Sequence, residues 1–124
     1  MEIREEATFS VRHTVTEKDT ASAHRSGGLE VYATPAMVAL MEESAYMLLK
    51  KCGAESVGTE LKIRHTRACL CGTEVEACAK VIATDGKKVI FEVSATDKNG
   101  IIGEGEHTRY VIDPEKFMSK LNGN

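Results

Sequence analysis

Apolar and polar residues alternate along this chain with two different periods, and the change of period marks out its elements. Residues 7 to 16 alternate strictly, with Phe9, Val11 and Val15 on one side and Thr8, Ser10, Arg12 and Thr14 on the other. Period two is the mark of a strand buried on one face. His13 falls on the apolar side. A loop containing Gly27 and Gly28 follows, and then the period becomes helical. Thr34 and Pro35 fit the N-cap and first position of a helix running to about Cys52. Gly53 stops it, and Lys50 and Lys51 suit its carbonyl end. Between these signals the run PAMVALMEESAYMLLKKC is apolar nearly all the way round, which predicts a helix enclosed by other structure.

Residues 57 to 67, 73 to 84, 87 to 97 and 101 to 112 return to period two and predict four more strands. Asp85-Gly86 and Asn99-Gly100 readily supply the positive φ angles of tight hairpins, so the last three strands should form an antiparallel meander. Asp113 and Pro114 cap a short terminal helix. Strand, helix and four strands, in that order, predict an α+β domain whose twisted antiparallel sheet curls round one long central helix. One such sheet cannot cover so apolar a helix on every side. A second copy of the chain, in a symmetric homodimer, is therefore expected to cover the rest.

Composition narrows the function classes. At 124 residues a single domain spanning 1–124 is expected. A net charge of −3 gives no basic footprint for nucleic acid. MEIREEATFS lacks the apolar run of a secretory signal and no stretch approaches a transmembrane length, so a cytoplasmic protein with no membrane partner is expected. Cys52, Cys69, Cys71 and Cys78 are then read as reduced thiols. A zinc site from Cys69, Cys71, Cys78 and His65 would lack the paired C-x-x-C spacing, and no metal or other cofactor is expected.

Several residues have the types and positions that chemistry uses. Glu42 has Val38, Ala45, Tyr46 and Leu49 as helical neighbours, which makes it either a desolvated carboxylate or an acid reaching water at the helix margin. Glu43 belongs at the solvent edge. His65 shares a strand face with Leu61 and Ile63, aimed at the helix, as a catalyst or as a packed core histidine. Thr34 is a helix cap or a hydroxyl facing a ligand. Along one helix, Thr34 and Glu42 lie roughly 12 Å apart, so only a third group or a second subunit can bridge them. On the last strand Gly103, Gly105, His107, Arg109 and Val111 share a face. The glycines leave room for a ligand, for close packing or for a bulge. Arg109 suits a carbonyl, carboxylate or phosphate, or a structural acid. Lys62, Arg64 and Arg67 make a basic stripe that could meet a nucleotide phosphate but is better read as a solvated face.

The runs VYATPAMVALMEESA, SVGTELKIRHTRA and IGEGEHTRYVIDPEKF resemble, in order and spacing, the fluoroacetyl-CoA thioesterase-like branch of the hotdog-fold superfamily. The likeness runs from about residue 7 to residue 119. It implies the hotdog fold, a homodimer and metal-free hydrolysis of an acyl-CoA thioester. By matching motif it places Thr34, Glu42 and His65 on catalytic positions and Gly58 and Arg109 on ligand-contacting ones. The chain departs from the pattern in HRSGGLEVYAT, where Arg25 and Gly28 stand in place of the phenylalanines that gate the namesake's pocket. That departure implies a broader short-chain or different acyl specificity in place of fluoroacetyl selectivity. An enoyl-CoA hydratase of the same fold and a non-catalytic acyl-CoA-binding module are the rival readings.

Overall fold

A computed structural model describes residues 2–123. Five strands form one antiparallel sheet: β1 (Thr8–Thr14), β2 (Glu55–His65), β3 (Glu74–Asp85), β4 (Lys88–Asp97) and β5 (Gly100–Ile112), in the order β1-β3-β4-β5-β2. Three helices join them: α1 (Ala21–His24), α2 (Thr34–Lys51) and α3 (Pro114–Leu121). The α+β expectation, an antiparallel sheet curled on a long helix, is what the chain adopts.

Phe91, Val93 and Ala95 of β4 and Val75, Ala77, Ala79 and Val81 of β3 are fully enclosed against Met37, Met41, Ala45 and Leu49 of α2. Alternation puts these strand residues on one face, and helical spacing puts those of α2 on one stripe. The helix ends where Gly53, at φ +87°, turns the chain so that Ala54 N–H reaches back to the Leu49 carbonyl at 2.9 Å. The enclosure is one-sided, however: Val38 and Met47 stay half-exposed and Ala39 exposed. Leu61, which faces the same way as His107 across the β2–β5 ladder, is 42% exposed.

Both expected hairpins form, each one residue out of place. Asp85 pairs with Lys88, so the β3–β4 turn centres on Gly86 and Lys87, with Gly86 at φ +62°. Asp97 pairs with Gly100, so the next turn centres on Lys98 and Asn99. There the Asp97 carboxylate accepts from the Asn99 N–H at 2.8 Å and starts the turn itself. The expected open loop after β1 contains a 3-10 turn over Glu17–Asp19 and the short α1, whose Thr20 hydroxyl accepts from Ala23 N–H. Asp19 anchors this segment by taking hydrogen bonds from Thr16 N–H at 2.7 Å and from His13 Nε2 at 2.7 Å. One irregularity bears on the site: β2 carries an extra residue between Gly58 and Glu60, which oppose the adjacent Arg109 and Thr108.

Candidate active site

Thr34 is the first helical residue of α2, with Ala33 at the N-cap and Pro35 next, and its side chain makes no capping bond. This corrects the cap expected from sequence. A hydroxyl excused from capping is free to point elsewhere, and Thr34 Oγ1 lies 2.7 Å from His65 Nδ1. His65 ends β2, and the edge of its ring stands against Tyr32 with centroids 6.5 Å apart. Its other nitrogen, Nε2, is buried and without a hydrogen-bond partner. Burial holds the imidazole below its ordinary value of 6.5, against a weaker upward pull from the Arg67 backbone, so the ring is neutral near pH 7. In the tautomer whose Nδ1 donates to Thr34 Oγ1, the neutral ring leaves the Nε2 lone pair free to take a proton. The pair opens on a cavity of about 280 Å³ walled by Ala21, Ser26, Val31, Tyr32, Thr66 and Ala68.

Glu42 lies elsewhere along α2, half-buried over β2 and β5. A Cβ placed on Gly58 would come 3.1 Å from Glu42 Oε2, 3.2 Å from Arg109 Nη1 and 3.0 Å from His107 Cε1. The bare Cα of Gly58 is therefore what lets these three groups converge. Glu43 is exposed, as its position predicted. Within one chain Glu42 forms no hydrogen bond with His65, whose Nδ1 is held by Thr34 and whose Nε2 has no partner. The five residues singled out above thus fall into two groups, Thr34 with His65 and Glu42 with Gly58 and Arg109.

Arg109 is 6% exposed. Its Nε donates to Ser56 Oγ at 2.8 Å, its Nη2 to the Ser56 carbonyl at 3.1 Å and its Nη1 to His107 Nε2 at 3.1 Å, with the Tyr46 ring 5.6 Å away. Burial lowers its pKa, opposed by the charges of Glu42, Glu55 and Tyr46. Ser56 and the role of His107 were not foreseen. The available signal was the shared β5 face of His107 and Arg109 and the serine two places before Gly58.

Gly103 and Gly105 of β5 allow close packing, and the strand is also bulged beside Gly103, where Ala95 and Thr96 oppose Gly103 and Ile101. A Cβ on Gly103 would meet Met37 at 2.6 Å, and one on Gly105 would run into the Lys62 carbonyl. Lys62 and Arg64 stand opposite Glu106 and Glu104, and Arg67 is clamped by Asp97 at 2.7 and 3.2 Å, so the basic stripe is a solvated, charge-balanced face. All four cysteines are free thiols, Cys69 buried and Cys71 exposed. Among the described residues no group of three His, Cys, Asp or Glu side chains is placed to hold a metal ion.

With this geometry in view, comparison with known proteins decides the family. The profile of the fluoroacetyl-CoA-specific thioesterases, FlK, matches residues 15–115. The chain belongs to this family. It is 37% identical, over 74% of its own length and 68% of the relative's, to a fluoroacetyl-CoA thioesterase of Streptantibioticus cattleyicolor. Among solved structures it is similar to the fluoroacetyl-CoA thioesterase FlK, at 29% identity and a TM-score of 0.91, covering 100% of this chain and 98% of that one. A threonine-to-serine variant of FlK in complex with acetyl-CoA matches at 29% identity and 0.90, over 98% of each chain. A hot-dog-like protein from Thermanaerovibrio acidaminovorans superposes at 0.86 with 22% identity, over 94% of this chain and 89% of that one. The fold is accordingly the hotdog fold of this family, in which α2 is the central helix.

Proposed function

We propose that this protein is an acyl-CoA thioesterase for a short or small acyl group, acting at a site completed by a second copy of the chain. One observation carries the reading: a neutral His65, tethered at Nδ1 by Thr34 and unpartnered at its buried Nε2, beside an open cavity. Thioester hydrolysis needs a group to take a proton from the nucleophile and donors for the oxyanion. His65 handles the proton. Thr34 and the backbone N–H of Gly58 hold the carbonyl oxygen or the water, and Arg109 contacts the ligand. Glu42 orients His65 or attacks the carbonyl itself, in which case the C–S bond breaks, the CoA sulfur leaves as the thiol, and water then cleaves the acyl-enzyme to the free acid and Glu42.

Membership of the family supports acyl-CoA as substrate. Two features support a homodimer: an α2 left open at Val38 and Ala39, and the exposed inward-facing Leu61 on an edge strand. A site shared between two copies fits a chain whose own Glu42 makes no hydrogen bond to His65 and whose buried His65 Nε2 has no partner among the described residues. No helix among the described residues is long and apolar enough to cross a membrane. Four free thiols suit a cytoplasmic setting.

Thiol release over a panel of acyl-CoAs tests the reading. His65→Ala and Glu42→Ala should each lower kcat/KM by roughly 100-fold or more. Unaltered release in both variants refutes the site. Release by no acyl-CoA at all, with binding retained, moves the protein to the non-catalytic alternative. Labelled water in a single turnover separates direct attack from an acyl-enzyme on Glu42.

A further inference from the structure

Arg109 is a cation removed from water, yet every acceptor that it bonds is neutral: the Ser56 hydroxyl, the Ser56 carbonyl and the His107 ring. Among the described residues no carboxylate lies within ion-pair distance of it. A buried charge without a counter-ion is costly to hold, so a scaffold that keeps one is spending stability on where the charge sits. Glu42 comes first among the charged groups whose field Arg109 feels. The Gly58 gap separates the two.

His107 admits one protonation state. An arginine only donates, so the ring accepts at Nε2; a carbonyl only accepts, so Nδ1 carries the proton and donates to Glu60 at 2.9 Å. The ring lies stacked on Phe91, at an interplanar angle of 27°. Both of its ends are therefore tied, one to the bulged backbone of β2 and the other to Arg109. Such a residue has no proton to trade. Its work is mechanical: it fixes the guanidinium about one edge while Ser56 fixes the other.

We infer that His107, together with Ser56, is a positioning residue for thioester hydrolysis, holding Arg109 so that Nη1 stands at the gap shared by Gly58 and Glu42. This rests on the reading of Glu42 and Arg109 as site residues given above. The guanidinium spends three of its five N–H groups on the scaffold, and Nη1, which keeps one of the other two, is its nitrogen beside the Gly58 gap.

A double-mutant cycle on kcat/KM tests it, with wild type, His107→Leu, Arg109→Met and the double variant measured by thiol release. His107→Leu should lower kcat about tenfold or more with KM nearly unchanged, and should cost nothing further once Arg109 is methionine. His107→Gln, whose amide offers both a donor and an acceptor, should recover most of the loss. Additive losses in the double variant overturn the proposal, and so do equal losses in the Gln and Leu variants at matched Tm. An independent readout needs no activity: long-range 15N–1H correlation should find the His107 proton on Nδ1 alone. A proton on Nε2 or on both nitrogens overturns it even where the Leu variant fails to fold. Active enzyme with additive losses sinks the positioning role alone, whereas a wild type inactive on every acyl-CoA sinks the thioesterase reading and with it the role in catalysis.

Discussion

Gly58→Ala is a minimal perturbation with opposite expected signs under two physical accounts. Gly58 sits in a strand at an ordinary backbone conformation, so relief of glycine's entropy alone would make alanine stabilising by roughly 0.5–1 kcal/mol. The new methyl would instead meet His107, Glu42 and Arg109 at 3.0, 3.1 and 3.2 Å, well inside ordinary contact distance. None of the three has an easy retreat, because His107 is tied at both ring nitrogens and Arg109 at three of its N–H groups. Overpacking of that kind costs roughly 1–3 kcal/mol. For a domain of this size that is a fall in Tm of roughly 3–10 °C. The displaced groups belong to the proposed site, so kcat/KM should fall roughly 10- to 100-fold, as expected for misplacement of a fraction of an ångström up to one ångström. Differential scanning fluorimetry and thiol release measure the two quantities. A Tm that rises, or one unchanged together with wild-type kcat/KM, refutes the argument that Gly58 is where Glu42 and Arg109 converge.

Other expectations follow from the same geometry. Gly105→Ala, which drives a methyl into the Lys62 carbonyl, should prevent stable folding, while Gly103→Ala presses chiefly on the flexible Met37 and should cost far less; circular dichroism melts rank them. Thr34→Val should leave the unfolding free energy within about 0.5 kcal/mol of wild type, because the hydroxyl caps nothing, yet should remove most activity, and Thr34→Ser should retain it. A Thr34→Val variant destabilised like a lost helix cap would count against this account. Both His65 and His107 have imidazole pKa values below the ordinary 6.5. Their unfolded forms take up protons first, so stability should be full above about pH 6.5 and fall as the pH drops below it. Urea titrations between pH 5 and 8 check the sign, and stability rising toward pH 5 in wild type but not in His65→Ala would contradict it.

Most of the fold was legible because its signals are local. The period-two runs that predict strands from residues 57, 73, 87 and 101 appear as β2 to β5 within two residues at each end, since alternation against a buried α2 leaves little choice of face. The β4–β5 turn slipped by one because the Asp97 carboxylate, bonded to Arg67 and to its own turn, competes with the Asn99-Gly100 signal. The segment from Glu17 to His24 reads as loop in the sequence because its turns are held by Thr16, Asp19 and Thr20 side chains with almost no apolar period. For the proposed site, the family resemblance offered Thr34, Glu42, His65, Gly58 and Arg109 as candidates, and the helix rise kept Thr34 from Glu42, as the structure does. Spacing could not show that Arg109 would be met by Ser56 and His107. Those contacts depend on register across two strands, which a single sequence does not print.

The supernumerary Thr59 has an effect out of proportion to its size. Gly58 and His65 are an odd number of residues apart, so a perfectly regular ribbon would send their Cα substituents to opposite surfaces. Inserting one residue resets the phase of β2, so that both look toward α2, Gly58 opposite Arg109 and His65 opposite Gly103. Parity, set by one threonine whose hydroxyl reaches the Thr108 carbonyl, is thus what allows a single edge strand to serve both clusters. Were β2 to straighten with Thr59 kept in the ladder, one half of the chemistry would turn to face away from the other, whereas excising Thr59 would leave an unbroken ladder with both halves still on the same side.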